Sequence, residues 1–447
     1  MSPIFRHYII AVLIFLFALA LEKLQVGLII RLFVGIFSLH YLWRACTFEE
    51  GSGHPVGLYF LFSGLYVFAA LSEVALFGNR MNLDPVLMGD LADMGVGFLI
   101  FVAAGYLIFR RTPSQNNDIA NIDSEMVSAA IYACIALLFL CTSLTIWSYG
   151  TSIGSISRSD IYSNDSSILT VLRGILAMSF GVTAALLVSN ERRTSQRNRS
   201  QRILLFTALF VYASIDLLIL GDRRLPLMAM LGVATLMLPK RFTWFQFSTG
   251  IIFGLTFFIY GFVRNTPPSQ WMATITSGDI LLAFSPASTE FGGLAIIGQA
   301  IGNFDDPLAG FPTYLDGLFQ LFPRAIVADR PLSPTEWFVQ SYYPDLAAAG
   351  ASYAFNQVIE ARMNFGLPGI LLVGFVSGLA IALISRLRHW GVPYGVPLCI
   401  NIFCFSMRMD MVSIVRTAIV AVMGVVFVMT IAAMARRDAR LGSGATL

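Results

Sequence analysis

Residues 412–434 read VSIVRTAIVAVMGVVFVMTIAAM, and Arg416 is the only charged side chain in that stretch. A helix needs about 20 mostly apolar residues to cross the ~30 Å hydrocarbon core of a bilayer, so this run predicts a membrane-spanning helix. The same criterion applied outward along the chain gives twelve candidate spans: 8–21, 26–43, 55–78, 86–109, 126–148, 167–189, 203–220, 225–239, 248–264, 357–385, 393–407 and 412–434. The sequence therefore predicts an all-α polytopic membrane protein with about twelve transmembrane helices.

The composition agrees with that class. Of the 447 residues, 57% are hydrophobic and only 12% are charged, whereas soluble domains have roughly 25% charged residues. The formal net charge of +3 is too small to indicate a nucleic-acid partner. The five cysteines show neither a paired framework nor CxxC spacing, so neither disulfides nor a zinc site is expected.

The basic residues predict the orientation of the chain. They cluster in the connections at Arg110–Arg111, Arg192–Arg202, Lys240–Arg241, Arg386–Arg388 and Arg436–Arg440, and each cluster follows an even-numbered span. Short cytoplasmic loops are enriched in Lys and Arg. All five connections are therefore placed on the cytoplasmic side, together with both chain termini.

One connection on the opposite side is long. Transmembrane spans one to nine are expected in residues 1–264, the large loop in 265–356 and the last three spans in 357–447. Structureless loops longer than about 15 residues are uncommon in compact domains. Because this loop is rich in aromatic residues, we expect short helices that cover the outer face rather than disorder.

Several charged residues fall on that outer side with little loop around them. GDRRLP contains Asp222, Arg223 and Arg224 between spans seven and eight, and Arg408 and Asp410 lie between spans eleven and twelve. Arginine at membrane depth usually faces a bundle interior or a wet cavity, which makes these residues functional candidates. Guanidinium groups suit phosphate oxygens. The alternative is that each Arg snorkels to headgroups or forms a structural ion pair.

Other candidates lie in and after the long loop. Glu290, Arg324 and Arg330 belong to the loop, and Glu360 and Arg362 follow it in NQVIEARMNFGLPG, residues 356–369. A break at Gly366 and Gly369 predicts an amphipathic helix that then turns into the membrane. Glu360 and Arg362 are either an ion pair fixing that entry or part of a catalytic site.

The four histidines all fall at or near the cytoplasmic side. An outward-facing site would therefore need a carboxylate as its general base. No P-loop or HExxH motif is present, which disfavours nucleotide hydrolysis and zinc chemistry.

Taken in order, GDRRLP, LFPRAIVADRPLSP in the long loop, EARMNFGLPG and MRMD resemble the O-antigen polymerase (Wzy-type) family of oligosaccharide repeat-unit polymerases. The resemblance covers about 205–420, and it implies a GT-C-like fold. O-antigen ligases of the same superfamily carry a His-Asn pair where this chain has Phe355 and Asn356, which favours polymerase over ligase.

The resemblance implies a nucleotide- and metal-independent glycosyltransferase of the bacterial cell inner membrane, without a cofactor. It would join polyprenyl diphosphate-linked glycans, as donor and acceptor, into a surface polysaccharide, with a flippase and a chain-length regulator as implied partners. The residue roles are assigned as follows: Glu360, Glu290, Arg223 and Arg408 are catalytic candidates, Arg224, Arg362, Arg324 and Arg330 bind diphosphate, and Asp222 and Asp410 orient the arginines.

A ligase-like transferase and a secondary transporter remain alternatives. A transporter of twelve spans would show matched halves, broken helices in corresponding positions and ionisable residues near the midplane. Asp90 and Asp93 lie within span four, and they could equally be packing partners of Arg31 or Arg173.

Overall fold

A computed structural model describes residues 2–23, 27–48, 55–110, 124–148, 168–190, 195–216, 225–227, 229–230, 233, 271–276, 291–302, 313–319, 331–348, 353–387, 395–404 and 406–444. Within these residues the chain is helical and contains no strand. Seven of the helices there are long and apolar enough to cross a membrane. The protein is therefore an all-α, membrane-embedded protein.

The N-terminal region consists of long helices: α1 Pro3–Lys23, α2 Leu28–Thr47, α3 Pro55–Leu76, α4 Pro85–Phe109 and α5 Ser124–Ser148. Each of the five contains a candidate membrane span. The start of α4 shows why these boundaries fall where they do. Asp84 accepts hydrogen bonds from the first-turn N–H groups of Val86 and Leu87, and Pro85 occupies a position that needs no N–H donor.

The middle of the chain contributes α6 Ile168–Asn190 and α7 Ser195–Ile215. The described parts of the long loop form helices of nine residues or fewer: α8 Trp271–Thr276, α9 Gly293–Ile301, α10 Thr313–Phe319, α11 Pro334–Tyr342 and α12 Pro344–Ala348. A capping box of Ser333 and Glu336 begins α11. Helix α9 packs on α3 and α4, while α10 packs on the two long helices that follow the loop, Gln357–Arg386 and Met411–Gly444, so α9 and α10 are docked onto the long helices.

Helix α13, Gln357–Arg386, folds back on itself at Gly366. Twenty residues separate Gln357 from Ser377, and they would lie about 30 Å apart in a straight helix; instead the Gln357 side chain donates to Ser377 Oγ at 3.1 Å. The backbone of Gly366 has φ 67° and ψ −159°, a conformation open to glycine alone. The element is thus a helical hairpin with a first arm at 357–365 and a second arm at 367–386.

The sequence correctly predicts the break at Gly366 but not the character of the first arm. That arm is buried around nearly its whole circumference, from Gln357 to Ala361 and at Met363, rather than amphipathic at a membrane surface. The reason is that it packs against its own second arm and against the chain that follows. The span predicted at 357–385 is therefore a hairpin whose second arm alone has the length of a crossing.

The last part of the chain is a second interrupted helix. Helix α14, Gly395–Phe403, leads to a 3-10 turn at Ser406–Arg408 and then to α15, Met411–Gly444. Nine residues of helix cover about 13.5 Å, less than half the hydrocarbon thickness. Within the predicted span 393–407, the described residues thus form one nine-residue helix and the beginning of a 3-10 turn. Spans 203–220 and 225–239 lie only partly within the described residues, and 248–264 lies outside them.

The two regions meet where the second arm of α13 packs against α4. A Cβ atom added at Gly374 would lie 2.6 Å from the carbonyl oxygen of Phe98, and one added at Gly378 would overlap the backbone of Val102. Gly105 of α4 is equally close to the backbone of Phe375. Small residues let helix backbones approach closely in lipid, where no hydrophobic force drives helices together.

Candidate functional site

Glu360 lies at the centre of the C-terminal region and is completely buried. It projects from the first arm of α13. Its Oε1 accepts a hydrogen bond from the Thr313 hydroxyl at 3.0 Å, and its Oε2 accepts one from the backbone N–H of Met411 at 2.7 Å. The residue thus joins the hairpin to α10 and to the first turn of α15.

Asp410 is the neighbouring buried carboxylate, with 1% of its surface exposed. It is the N-cap of α15, because its Oδ1 accepts from the N–H of Ser413 at 2.7 Å. Its Oδ2 accepts from the Thr335 hydroxyl at 2.9 Å. Glu360 and Asp410 are close enough to repel each other electrostatically.

The two carboxylates are satisfied in the same way. Each accepts one threonine hydroxyl from a short helix of the long loop and one backbone N–H from the start of α15. Partial positive charge at a helix N-terminus favours carboxylates there. Helices α10 and α11 are therefore each held to the long helices through a threonine hydroxyl on a buried carboxylate.

Asn364 completes the attachment of α10. Its Oδ1 accepts from the Thr313 N–H at 2.9 Å, and its Nδ2 donates to the Thr313 hydroxyl oxygen at 2.6 Å and to the Glu360 carbonyl at 2.8 Å. Thr313 therefore makes three hydrogen bonds with the first arm of α13. The arrangement fixes α10 over the Glu360 carboxylate.

Arg362 and Arg408 flank the carboxylates along the chain, two residues after Glu360 and two residues before Asp410. Both arginines are half-buried, in contrast to the enclosed carboxylates. The guanidinium of Arg362 comes within 4.0 Å of the position that a Cβ would occupy on Gly366, at the turn of the hairpin. The described contacts thus define a pair of buried acids, while Arg362 lies two positions from Glu360 on the first arm, a spacing at which helical side chains do not face each other.

Tyr314 belongs to α10 and lies beside Glu360. Its ring is tilted against that of Phe365, with 5.4 Å between the ring centroids. Its hydroxyl is buried and makes no hydrogen bond. Burial raises the pKa of Tyr314 above its ordinary value, and the nearby Glu360 carboxylate raises it further. The phenol therefore remains protonated and can donate a hydrogen bond.

Two other arginines with little exposed surface, Arg31 and Arg173, form ion pairs that have a structural explanation. Arg31 of α2 bonds both carboxylates of α4, with Nε 3.0 Å from Asp93 and NH2 3.1 Å from Asp90. This confirms Arg31, rather than Arg173, as their partner. Arg173 of α6 instead pairs with Asp216 after α7, which also accepts from the Tyr212 hydroxyl at 3.1 Å. Each pair ties neighbouring helices together.

Of the predicted site residues, the structure brings Glu360 and Asp410 together, and Arg362 and Arg408 each lie two positions from one of them along the chain. The others lie outside the described residues: Asp222, Arg223, Arg224, Glu290, Arg324 and Arg330. No group of three or more potential metal ligands occurs in the described part of the chain.

Sequence reasoning missed Thr313, Thr335, Asn364 and Tyr314. The hydroxyl and amide groups that reach a carboxylate from a distant part of the chain leave no periodic signal in the sequence. One hint was available in the sequence. The long loop that carries both threonines ends immediately before the hairpin, so the two segments are neighbours along the chain.

Comparison of the chain with protein-family models, with curated proteins and with solved structures finds no match. The fold and the site therefore define the chain only as an all-α membrane protein with a buried carboxylate pair.

Proposed function

We propose that the protein is a glycosyltransferase that polymerises polyprenyl diphosphate-linked oligosaccharide repeat units into a surface polysaccharide. The observation that carries the proposal is the meeting of two interrupted helices at one buried site. One contributes Glu360, with Arg362 two residues further on, and the other contributes Asp410, with Arg408 two residues before it. Non-helical backbone at membrane depth is tolerated where it is buried in protein or lines a cavity.

The chemistry of the transfer suits this set of groups. The bond between the donor sugar and its diphosphate breaks, and the departing diphosphate gains negative charge that Arg362 and Arg408 stabilise as preorganised donors. The acceptor sugar hydroxyl forms the new bond and loses its proton to a carboxylate. A positioned general base of this kind accelerates such a step about 10²- to 10⁴-fold.

The enclosure of Glu360 determines how it would serve as that base. Thr313 occupies one carboxylate oxygen and the Met411 N–H occupies the other. An acceptor hydroxyl would take the place of the Thr313 hydroxyl, which requires α10 to move away from the first arm. Asp410 caps α15 and accepts from Thr335, so its part in this proposal is to position the start of α15 rather than an arginine.

The proposal is tested by complementing cells that lack the gene for this chain and resolving their surface polysaccharide on a gel. Wild type is compared with Glu360→Gln, Arg362→Ala and Arg408→Ala at matched membrane levels. We expect the deletion to leave single repeat units and the three variants to fail to restore the ladder. Asp345→Asn and Arg80→Ala are matched controls, because both side chains are exposed, and they should restore it.

Two outcomes would overturn the polymerase assignment. Long polymer left on its lipid carrier after deletion would make the protein a ligase. An unchanged ladder would favour transport, for which the broken helices at Gly366 and at 404–410 are the specific supporting observation. A transporter would also be expected to have two halves with broken helices in corresponding positions. Among the described residues, α1 to α5 of the first half run without such interruptions.

A further inference from the structure

Tyr314 of α10 differs from Tyr59 and Tyr212 in how its hydroxyl is satisfied. The Tyr212 hydroxyl bonds Asp216 at 3.1 Å, and the Tyr59 hydroxyl interacts with two serine hydroxyls. The Tyr314 hydroxyl oxygen is also buried, yet it makes no hydrogen bond. Tyrosine hydroxyls usually find a partner when they are buried, so this one needs an explanation.

Helix α10 places this hydroxyl beside the buried carboxylate of Glu360. Thr313, the residue before Tyr314, donates to Glu360 Oε1 at 3.0 Å, and Asn364 bonds both the N–H and the hydroxyl of Thr313. Tyr314 itself is close enough to Glu360 for the two side chains to interact electrostatically. The unpartnered hydroxyl thus lies next to the general base of the proposed reaction.

Glu360 does not use this donor. Its two oxygens accept instead from the Thr313 hydroxyl and from the Met411 N–H. A protonated phenol can both donate and accept a hydrogen bond. The Tyr314 hydroxyl is therefore available to a ligand that reaches the Glu360 carboxylate.

The ring of Tyr314 adds an apolar surface at the same place. It packs against Phe365, the last residue of the first arm, whose side chain is 51% exposed. A sugar presents hydroxyl groups at its edge and C–H groups on its ring faces, and a tyrosine offers both a hydrogen-bonding group and an aromatic surface. The face of an aromatic ring is electrostatically negative, so the pair of rings suits a sugar better than a phosphate.

We propose that Tyr314 binds the acceptor glycan by donating a hydrogen bond to an oxygen of the sugar whose reacting hydroxyl lies on Glu360. This role rests on the proposed function and adds one residue to the same site. When α10 moves away from the first arm, the sugar occupies the space between Glu360 and α10, and Tyr314 contacts it from the α10 side. Thr313 thus stabilises α10 in the closed position, whereas Tyr314 stabilises the position with glycan bound.

The test measures initial rates of polymer formation by the full-length protein in proteoliposomes. The substrate is the lipid-linked repeat unit extracted from cells that lack the gene, supplied at a series of concentrations. We expect Tyr314→Phe to raise KM about 3- to 10-fold through the loss of one neutral hydrogen bond, with kcat within about twofold of wild type. Tyr132→Phe is the matched control, because Tyr132 is an exposed tyrosine of α5, and it should change neither constant.

The free energy of unfolding in detergent micelles separates binding from a structural role. Tyr314→Phe should not lower it, since the hydroxyl that is removed has no partner in the protein, whereas Tyr212→Phe should lower it. A wild-type KM for Tyr314→Phe, or a joint loss of kcat and stability, would overturn the role of Tyr314 and leave the polymerase assignment intact. If the wild-type protein formed no polymer, the polymerase assignment would fail and the role of Tyr314 with it.

Discussion

The N-terminal region, α1 to α5, and the C-terminal region, residues 353–444, handle buried charge in opposite ways. In the first, helices run without interruption and Arg31 forms ion pairs with both Asp90 and Asp93. In the second, Glu360 and Asp410 lie side by side, and hydroxyl groups and helix N-terminal N–H groups satisfy them. An ion pair fixes the charge of both partners, whereas two neighbouring carboxyl groups that accept hydrogen bonds from hydroxyls can exchange a hydroxyl or a proton.

The largest effect is expected where the N-terminal ion pairs are broken. Arg31→Met keeps the bulk of the side chain but leaves the largely buried Asp93 without its partner. Removing one member of a buried ion pair typically costs about 3–5 kcal/mol. We expect a loss of that size in the free energy of unfolding measured in detergent micelles.

Two further variants sharpen the result for Arg31. Asp90→Asn with Asp93→Asn in the Arg31→Met background should recover part of the lost stability, since no charge is then unpaired. Arg80→Met replaces an exposed arginine and should have little effect. If Arg31→Met were no more harmful than Arg80→Met, the ion pairs would not stabilise the N-terminal region.

The next effect concerns the turn of the C-terminal hairpin. Gly366→Ala places a Cβ on a residue with φ 67° and ψ −159°, and such strain costs about 2–3 kcal/mol. Gly27→Ala is the control, because Gly27 has φ −53° and open space around it. Equal free energies of unfolding for the two variants would contradict the hairpin geometry.

A smaller loss is expected when α10 is released from Glu360. Thr313→Val keeps the shape of the side chain but removes the donor to Oε1, and a buried acceptor left without its donor costs about 1–3 kcal/mol. We expect a value near the lower limit and faster proteolysis around residues 313–319. Thr430→Val should change neither quantity, because the exposed Thr430 hydroxyl bonds only the Val426 carbonyl of its own helix.

The smallest effect is expected at Tyr59 of α3. Tyr59→Phe removes a hydroxyl that lies beside the hydroxyls of Ser63 and Ser406, and a hydrogen bond between neutral groups contributes about 0.5–1.5 kcal/mol to the free energy of unfolding. Tyr212→Phe removes a donor to the buried Asp216 and should cost more, about 1.5–3 kcal/mol. A reversed order would show that the Tyr59 hydroxyl has a strong partner.

The sequence predicts the N-terminal region better than the C-terminal one for a physical reason. A continuous apolar run has one stable solution in a bilayer, so the hydropathy of α1 to α5 is enough to locate those helices. From charge alone, the predicted partner of Asp90 and Asp93 is either Arg31 or Arg173. The packing of α2 on α4 in the structure decides between the two arginines.

The C-terminal region depends on contacts that the sequence does not encode locally. Gly366 marks a break, but the direction of the first arm is set by Ser377 and by the N–H of Met411. The two threonines that bond the carboxylates come from a part of the chain where neither hydropathy nor charge singles them out. Glu360 and Asp410 could be proposed from their chemistry, whereas their mutual contact could not.

The hydrogen bonds of Glu360 also set an order of assembly during synthesis. Its hydroxyl donor, Thr313, precedes it by 47 residues, and its backbone donor, Met411, follows it by 51. At roughly 5–20 residues per second, translation leaves several seconds between the appearance of Glu360 and that of Met411. The first arm of α13 therefore reaches its final position only after the start of α15 emerges, and a chain truncated before residue 411 would lack the contact that closes the site.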